Sequence, residues 1–387
     1  MPVTARLLSG EEVQADFSSA ETVLDVRRAL SLRLGVVPTR LKLLHGDREL
    51  GDSEELACLL PDGSVLVLLL PPSTRVLCRI RPFNRREIDM GDAKVLRTLD
   101  ERRVELDVEA GTKTFEFGAA FESGSQDEVF SFCKETVLRS MNGLNGCIVA
   151  YGQTGAGKTY SMYGPSREAT AMGVVPRAAQ EVFAAAEGSE TPVEVKLSMI
   201  EIQPLNEQLV DLLQDGPTAR LMVRTEKSGA VYVENATQAQ CCNMEEFQDN
   251  LDQAFRKRAV RSTAMSLAST RSHLLAILTV ATRGGQAEEP CTGKLVMADL
   301  CGSECVGHLV KGNGGREAYS INVSLSRLRN MLYAVSKGDR HVPWRDSKLN
   351  MLLKDCIMST TLLLVCSPAA SNTNETLPCL AMSRVQM

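Results

Sequence analysis

Eight consecutive residues, Gly152-Gln153-Thr154-Gly155-Ala156-Gly157-Lys158-Thr159, carry the most specific chemistry in this chain. Their spacing fits Gly-x-x-x-x-Gly-Lys-Ser/Thr, and the apolar run Cys147-Ile148-Val149-Ala150-Tyr151 before them supplies the buried strand such a loop needs. Glycines let backbone N–H groups approach phosphate oxygens, because they lack a side chain and tolerate positive φ. Lys158 adds a point charge, the following helix turns its first N–H groups toward the phosphates, and the Thr159 hydroxyl is placed to ligate Mg²⁺. A chance Gly-rich turn is the competing explanation, and the Lys-Thr pair and the preceding strand weigh against it.

A loop that holds phosphates needs a second segment to sense the terminal one. The run Lys294-Leu295-Val296-Met297-Ala298 leads into Asp299-Leu300-Cys301-Gly302-Ser303-Glu304, where Asp299 can hold a water of a Mg²⁺ shell and the Gly302 N–H can bond a γ-phosphate. Earlier, Ser269-Thr270-Arg271-Ser272-His273 opens the apolar strand Leu274 to Val280 with three hydroxyls and a guanidinium. Read blandly, that run is a solvated loop between helix and strand.

These segments need a scaffold, and the chain is long enough to supply one. Its 387 residues, 44% hydrophobic and 24% charged, suit two or three folded domains and exclude collagen-like, coiled-coil-only and disordered chains. The longest aliphatic stretch, Val65 to Leu70, ends at Pro71-Pro72 and is far too short to span a bilayer, and no secretory signal opens the chain, which predicts a cytoplasmic location. Twelve scattered cysteines without metal-site spacing read as reduced thiols. A net charge of −5 argues against a general nucleic-acid binder. Residues 1–72 carry 7 basic and 11 acidic side chains, so the acidity belongs to the N-terminal part.

Residues 3–17 alternate as a hairpin around Ser9-Gly10. Val23, Val26, Leu30 and Leu34 then recur at helical spacing, with Thr22 as a cap and Gly35 as a stop. Strands at Leu41 to Leu44 and Val65 to Leu70 complete a ββαββ order. After Pro71-Pro72 the pattern predicts an α/β domain with strands at 75–80, 146–151, 193–202, 274–280, 294–299 and 362–366.

The first segment, 1–71, resembles ubiquitin in element order, which implies a small β-grasp domain with a protein-docking or merely packing role. Its last strand runs into Pro71-Pro72 rather than a free Gly-Gly end, so conjugation is not expected. The second, 74–387, resembles the kinesin motor family. The resemblance rests on the loop Tyr151 to Tyr160, the Ser-Thr-Arg-Ser-His run, Asp-Leu-Cys-Gly-Ser-Glu, Arg79-Ile80-Arg81-Pro82, Ile321-Asn322-Val323-Ser324-Leu325, His341 to Leu349 and Asn374-Glu375-Thr376-Leu377. It implies a P-loop NTPase with a central, mostly parallel or mixed sheet flanked by helices. It also implies ATP and Mg²⁺ as cofactors and the microtubule as partner, on the cytoskeleton.

By the same resemblance Arg79, Arg81, Pro82 and Tyr160 surround adenine and ribose, while Arg271 pairs with Glu304 over the γ-phosphate. Ser269 then relays a proton toward Glu304, and Ser269 and Thr270 bring hydroxyls to the metal. Lys311, Arg340, His341, Arg345 and Lys348 would face acidic tubulin. The stripe Ile321, Leu325, Leu328, Leu332, Val335 reads as core.

Departures from the family pattern cluster on the track side. Val323 stands where Lys is usual and Met351 where Arg is usual, and the loop Cys305 to Gly315 offers only Lys311 and His308 as cations. On the nucleotide side Ser266 replaces an Asn. Gln203-Pro204-Leu205 looks like a small insertion, Cys356 to Thr361 lacks a Gly-Gly-Asn turn, and Pro378 falls inside the expected last helix, a local lesion. No heptad run is present to dimerise the chain, which predicts a monomer. Two readings follow: an ATPase stimulated by microtubules, or a nucleotide-dependent adaptor too slow to move anything. An unrelated P-loop ATPase or GTPase fits the Arg-x-Arg-Pro and Ser-Thr-Arg-Ser-His runs less well.

Overall fold

Buried apolar strands separated by half-buried helices build the architecture in a computed structural model. It describes residues 4–7, 12–13, 20–34, 42–45, 48–56, 65–69, 73–188, 192–203, 205–216, 220–264, 271–282, 291–304, 313–339, 341–357 and 359–386. The chain divides into two compact units, 1–73 with 224–232, and 74–223 with 233–387.

In the first unit, strands β1 (Thr4–Leu7), β2 (Glu12–Val13), β3 (Lys42–His45), β4 (Arg48–Glu49) and β5 (Val65–Leu69) form one sheet in the order β2-β1-β5-β3-β4. β1 and β5 run parallel and the other pairs antiparallel. Helix α1 (Val23–Leu34) buries Val23, Val26 and Leu30, the positions its apolar spacing selects. Thr22 caps it: its N–H donates to Asp25 Oδ2 at 3.0 Å, and the Asp25 N–H donates back to Thr22 Oγ1 at 3.4 Å. The expected stop at Gly35 lies outside the described residues.

The second unit begins with β6 (Ser73–Ile80), helix α2 (Arg85–Asp89), β7 (Leu96–Thr98), β8 (Arg103–Val108), β9 (Gly111–Glu116) and β10 (Ala119–Glu122). Helix α3 (Gln126–Met141), β11 (Gly146–Tyr151), helices α4 (Lys158–Tyr163) and α5 (Val174–Glu187), β12 (Val193–Gln203) and β13 (Gln208–Asp211) follow. Next come β14 (Met222–Thr225) and β15 (Val231–Glu234), parts of which, within 224–232, group with the first unit, then β16 (Ala239–Cys241), helix α6 (Met244–Ala264), β17 (His273–Thr282) and β18 (Cys291–Asp299). Helices α7 (Asn313–Ser336) and α8 (Lys348–Leu353), β19 (Ser359–Cys366) and helix α9 (Thr373–Leu380) complete it.

The central sheet runs β10-β6-β19-β11-β18-β17-β12-β13, with β16 also on β12. β11 lies parallel to both β19 and β18, whereas β17 pairs antiparallel with β18 and with β12, so the sheet is mixed. Every residue of β11 and β19 is buried, as expected of strands covered on both faces. All six strands expected from the apolar runs are present in this sheet.

In α7, Ile321, Leu325, Leu328 and Leu332 are buried and Val335 is half-buried, so the stripe is core. Pro378 does lie inside the last helix, and the helix stops two residues later and tightens into a 3₁₀ turn over Ala381–Val385. Among the described residues nine cysteines are free thiols, and burial pushes Cys133 and Cys147 up to about 12. No helix among the described residues is long and apolar enough to cross a membrane.

Candidate nucleotide site

β11 delivers the chain into the Gly152 to Thr159 loop with its backbone already bent for it. Gly152 takes φ +152° against Val365, whose carbonyl oxygen would collide with any Cβ there, and Gly157 takes φ +101° as it opens α4. The helix starts at Lys158, which leaves its first N–H groups without intrahelical partners. Lys158 is 7% exposed and donates its ammonium to the Gly152 and Gln153 carbonyl oxygens, both at 2.8 Å. Burial pulls its pKa down, against the pull of Asp299 and Glu304.

The β11–β18 register, which sets Ala150 opposite Asp299, brings the end of β18 alongside this loop. Thr159 Oγ1 donates to Asp299 Oδ2 at 2.6 Å. Asp299 Oδ1 is buried and has no hydrogen-bond partner among the described residues, and burial raises the Asp299 pKa. A hydroxyl beside an unsatisfied buried carboxylate oxygen is a donor set suited to Mg²⁺, which keeps waters and takes few protein ligands. Accordingly, no group of three or more metal-ligating side chains exists among the described residues.

Past Asp299 the chain turns back over the loop. The Glu304 carboxylate accepts from the Thr154 N–H at 2.8 Å and from its hydroxyl, and a Cβ at Gly302 would strike both of these side chains. Arg271 is exposed at the entrance of β17, where the register sets Leu274 opposite Asp299. The neighbouring ends of one strand pair thus carry residues 271 and 304 at the same end of the sheet as the loop. Ser269, Thr270 and Ser266 lie outside the described residues, as do Lys311, His308 and Arg340.

A cleft of about 600 Å³ opens here, lined by Lys158, Thr159, Tyr160, Asp299 and Gly302, and on the α6 side by Phe255 and Arg258. On the expected adenine side, Tyr160 is half exposed with the Arg79 guanidinium 5.2 Å from its ring centroid. Arg79 is itself buried, donating to Gln126, Ser161 and Gly124. Arg81 reaches the Gly155 carbonyl oxygen at 2.9 Å and the exposed Pro82 carbonyl oxygen at 2.8 Å. Ala156, within the loop, is buried.

The sequence reading missed two parts of this site. One is a buried cluster behind the cleft, where Ser272 Oγ donates to Glu201 at 2.6 Å and Arg258 donates to both. The other is Glu87, whose spacing from Asn84 is a capping-box signal that could have been read, though its further partners could not.

In the connection from α7 to α8, His341 and Arg345 are exposed. Lys348 is half-buried, with its N–H donating to Glu207 Oε2 at 3.1 Å and its ammonium to the Glu207 carbonyl oxygen.

The loop after β11, the aspartate ending β18 and the mixed sheet beneath define a phosphate-binding-loop α/β protein. The kinesin motor domain profile matches residues 79–385, and the chain belongs to that family. It is 33% identical over 308 residues to the kinesin-1 heavy chain of Rattus norvegicus, covering 78% of this chain and 32% of that one. It is 36% identical over 314 residues to kinesin-like protein 3 of Schizosaccharomyces pombe, covering 79% and 56%. A solved structure of a fast kinesin superposes with a TM-score of 0.75 at 34% identity, covering 81% of this chain and 91% of that one. The chain spans about a third of the length of the kinesin-1 heavy chains it matches.

Proposed function

We propose that the chain hydrolyses ATP in this cleft and couples turnover to microtubule binding. The observation that carries the reading is the meeting of Lys158, the Thr159–Asp299 pair and Glu304 on one loop. Thr159, Thr270 and, through water, Asp299 would hold Mg²⁺, which supplies charge neutralisation for the transferred phosphoryl group. Lys158 and the loop N–H groups bind the phosphates, and the Gly302 N–H contacts the terminal one. Arg271 and Glu304 close over it, and Ser269 passes a proton toward Glu304. Arg79, Arg81, Pro82 and Tyr160 hold the base and ribose, while His341, Arg345, Lys311, Arg340 and Lys348 face the track.

The N-terminal sheet order and its crossing helix support a ubiquitin-like β-grasp domain over 1–71, placed as a docking module ahead of a motor domain over 74–387. The proposed setting is the cytoplasmic microtubule cytoskeleton, with the chain a monomer that takes neither nucleic acid nor membrane as partner. A second reading, a slow adaptor, is favoured by one observation: the Lys348 ammonium is already committed to Glu207, beside half-buried Met351. Steady-state ATPase with and without polymerised tubulin, at low and moderate salt, decides between them. Stimulation that fades with salt supports the motor, and a low rate indifferent to tubulin supports the adaptor.

A further inference from the structure

Glu87 lies in the five-residue helix α2 and keeps 4% of its surface exposed. A carboxylate this buried requires partners, and it draws them both from its own neighbourhood and from residues 280 and 285 positions further along the chain. Arg81 donates twice, from Nη1 to Oε2 at 2.6 Å and from Nη2 to Oε1 at 2.7 Å. The Asn84 N–H donates to Oε2 at 2.9 Å, Ser367 Oγ to Oε1 at 2.7 Å and Asn372 Nδ2 to Oε1 at 2.9 Å. Burial alone would push this carboxyl up, yet the hydrogen bonds outweigh it and bring it down to about 2. These partners thus favour the ionised form of Glu87.

Two of these partners also hold the phosphate loop. Arg81 Nε donates to the Gly155 carbonyl oxygen at 2.9 Å, and Asn372 Oδ1 accepts from Gln153 Nε2 at 2.6 Å. Asn372 immediately precedes α9, and Ser367 follows the end of β19. One carboxylate thus fixes the orientation of two side chains that grip the loop at residues 153 and 155.

We propose that Glu87 is a positioning residue for the phosphate loop, and that through Arg81 and Asn372 it joins Gln153, Gly155 and the start of α9 into one mechanical body. Nucleotide occupancy of the loop is then felt at α9. This rests on the nucleotide reading above. A loop whose braces are removed loses the prearranged N–H donors that bind phosphate, while the groups that act on the terminal phosphate stay where they are.

The test uses the full chain and MgATP, with the wild type measured first. Glu87→Gln is expected to raise KM for ATP about tenfold with kcat within about twofold. Gln153→Ala, which leaves every partner of the buried carboxylate in place, and Asn372→Ala, which removes one of them, should each raise KM, and the double variant should be no worse than the worse single one. MgADP should slow amide hydrogen exchange over 373–380 in the wild type and fail to do so in Asn372→Ala. Additive KM effects, unchanged KM beside a lowered melting temperature, or equal MgADP protection in Asn372→Ala would each overturn the proposal. A wild type that binds no nucleotide sinks the nucleotide reading and this inference together, whereas normal wild-type binding with indifferent variants sinks this inference alone.

Discussion

Lys158 and Asp299 are both buried, one losing and the other gaining proton affinity through desolvation, and each offsets part of the other's cost. Glu304 differs, because it accepts from the Thr154 N–H, a donor of the loop that we propose binds phosphate. Glu304→Ala should therefore slow hydrolysis by about a hundredfold or more in single-turnover kinetics while nucleotide affinity holds or rises. Unchanged turnover would contradict the role. His273 is wholly buried, its Nδ1 accepting from the Cys301 N–H at 3.2 Å, and burial brings its pKa down from 6.5 to about 3. The native state thus refuses a proton that the unfolded chain accepts. Its stabilising effect is complete above pH 6.5 and is lost as pH falls toward 3, at about 1.4 kcal/mol per unit. Melting curves from pH 7.5 to 4 should show this decline, and His273→Gln should flatten it. At this scale the loop residues were legible, because glycine, lysine and threonine at fixed spacing have few other uses. Glu87 was not, because its partners at 367 and 372 meet it only after β19 has been placed.

Elements were legible where one face decides their fate. The period of α7 marked its core stripe, and Leu328→Ala, at a fully buried position, should cost about 2–5 kcal/mol in chemical denaturation. The helix α9 is less ordinary. Pro378 has no N–H to donate one turn back, so Pro378→Ala should add about 1 kcal/mol and lengthen the protected stretch in hydrogen exchange. The commitment of Lys348 to Glu207 escaped the sequence, since Glu207 sits at φ +51° in the connection from β12 to β13, far from α8 in the chain. Sequence spacing shows which charges exist, and only the folded chain shows which of them are already spent on one another.

On the scale of the whole molecule, the chain divides into two compact units, and residues 224–232 group with the first. The central sheet lies within the second unit, which leads us to expect that a chain beginning at residue 74 melts cooperatively and keeps its nucleotide affinity. Calorimetry and nucleotide titration of that chain check both points. Strand order was the part the sequence left open, because apolar runs identify strands without naming their neighbours. That β17 and β18 pair antiparallel over nine residues, with Leu274 opposite Asp299, has a genetic consequence. Side chains alternate faces along a strand, so a single-codon insertion inside β18 would swing Asp299 to the far side of the sheet, away from Thr159. A one-residue length change within β18 would thus be tolerated only where a bulge absorbs it before Asp299.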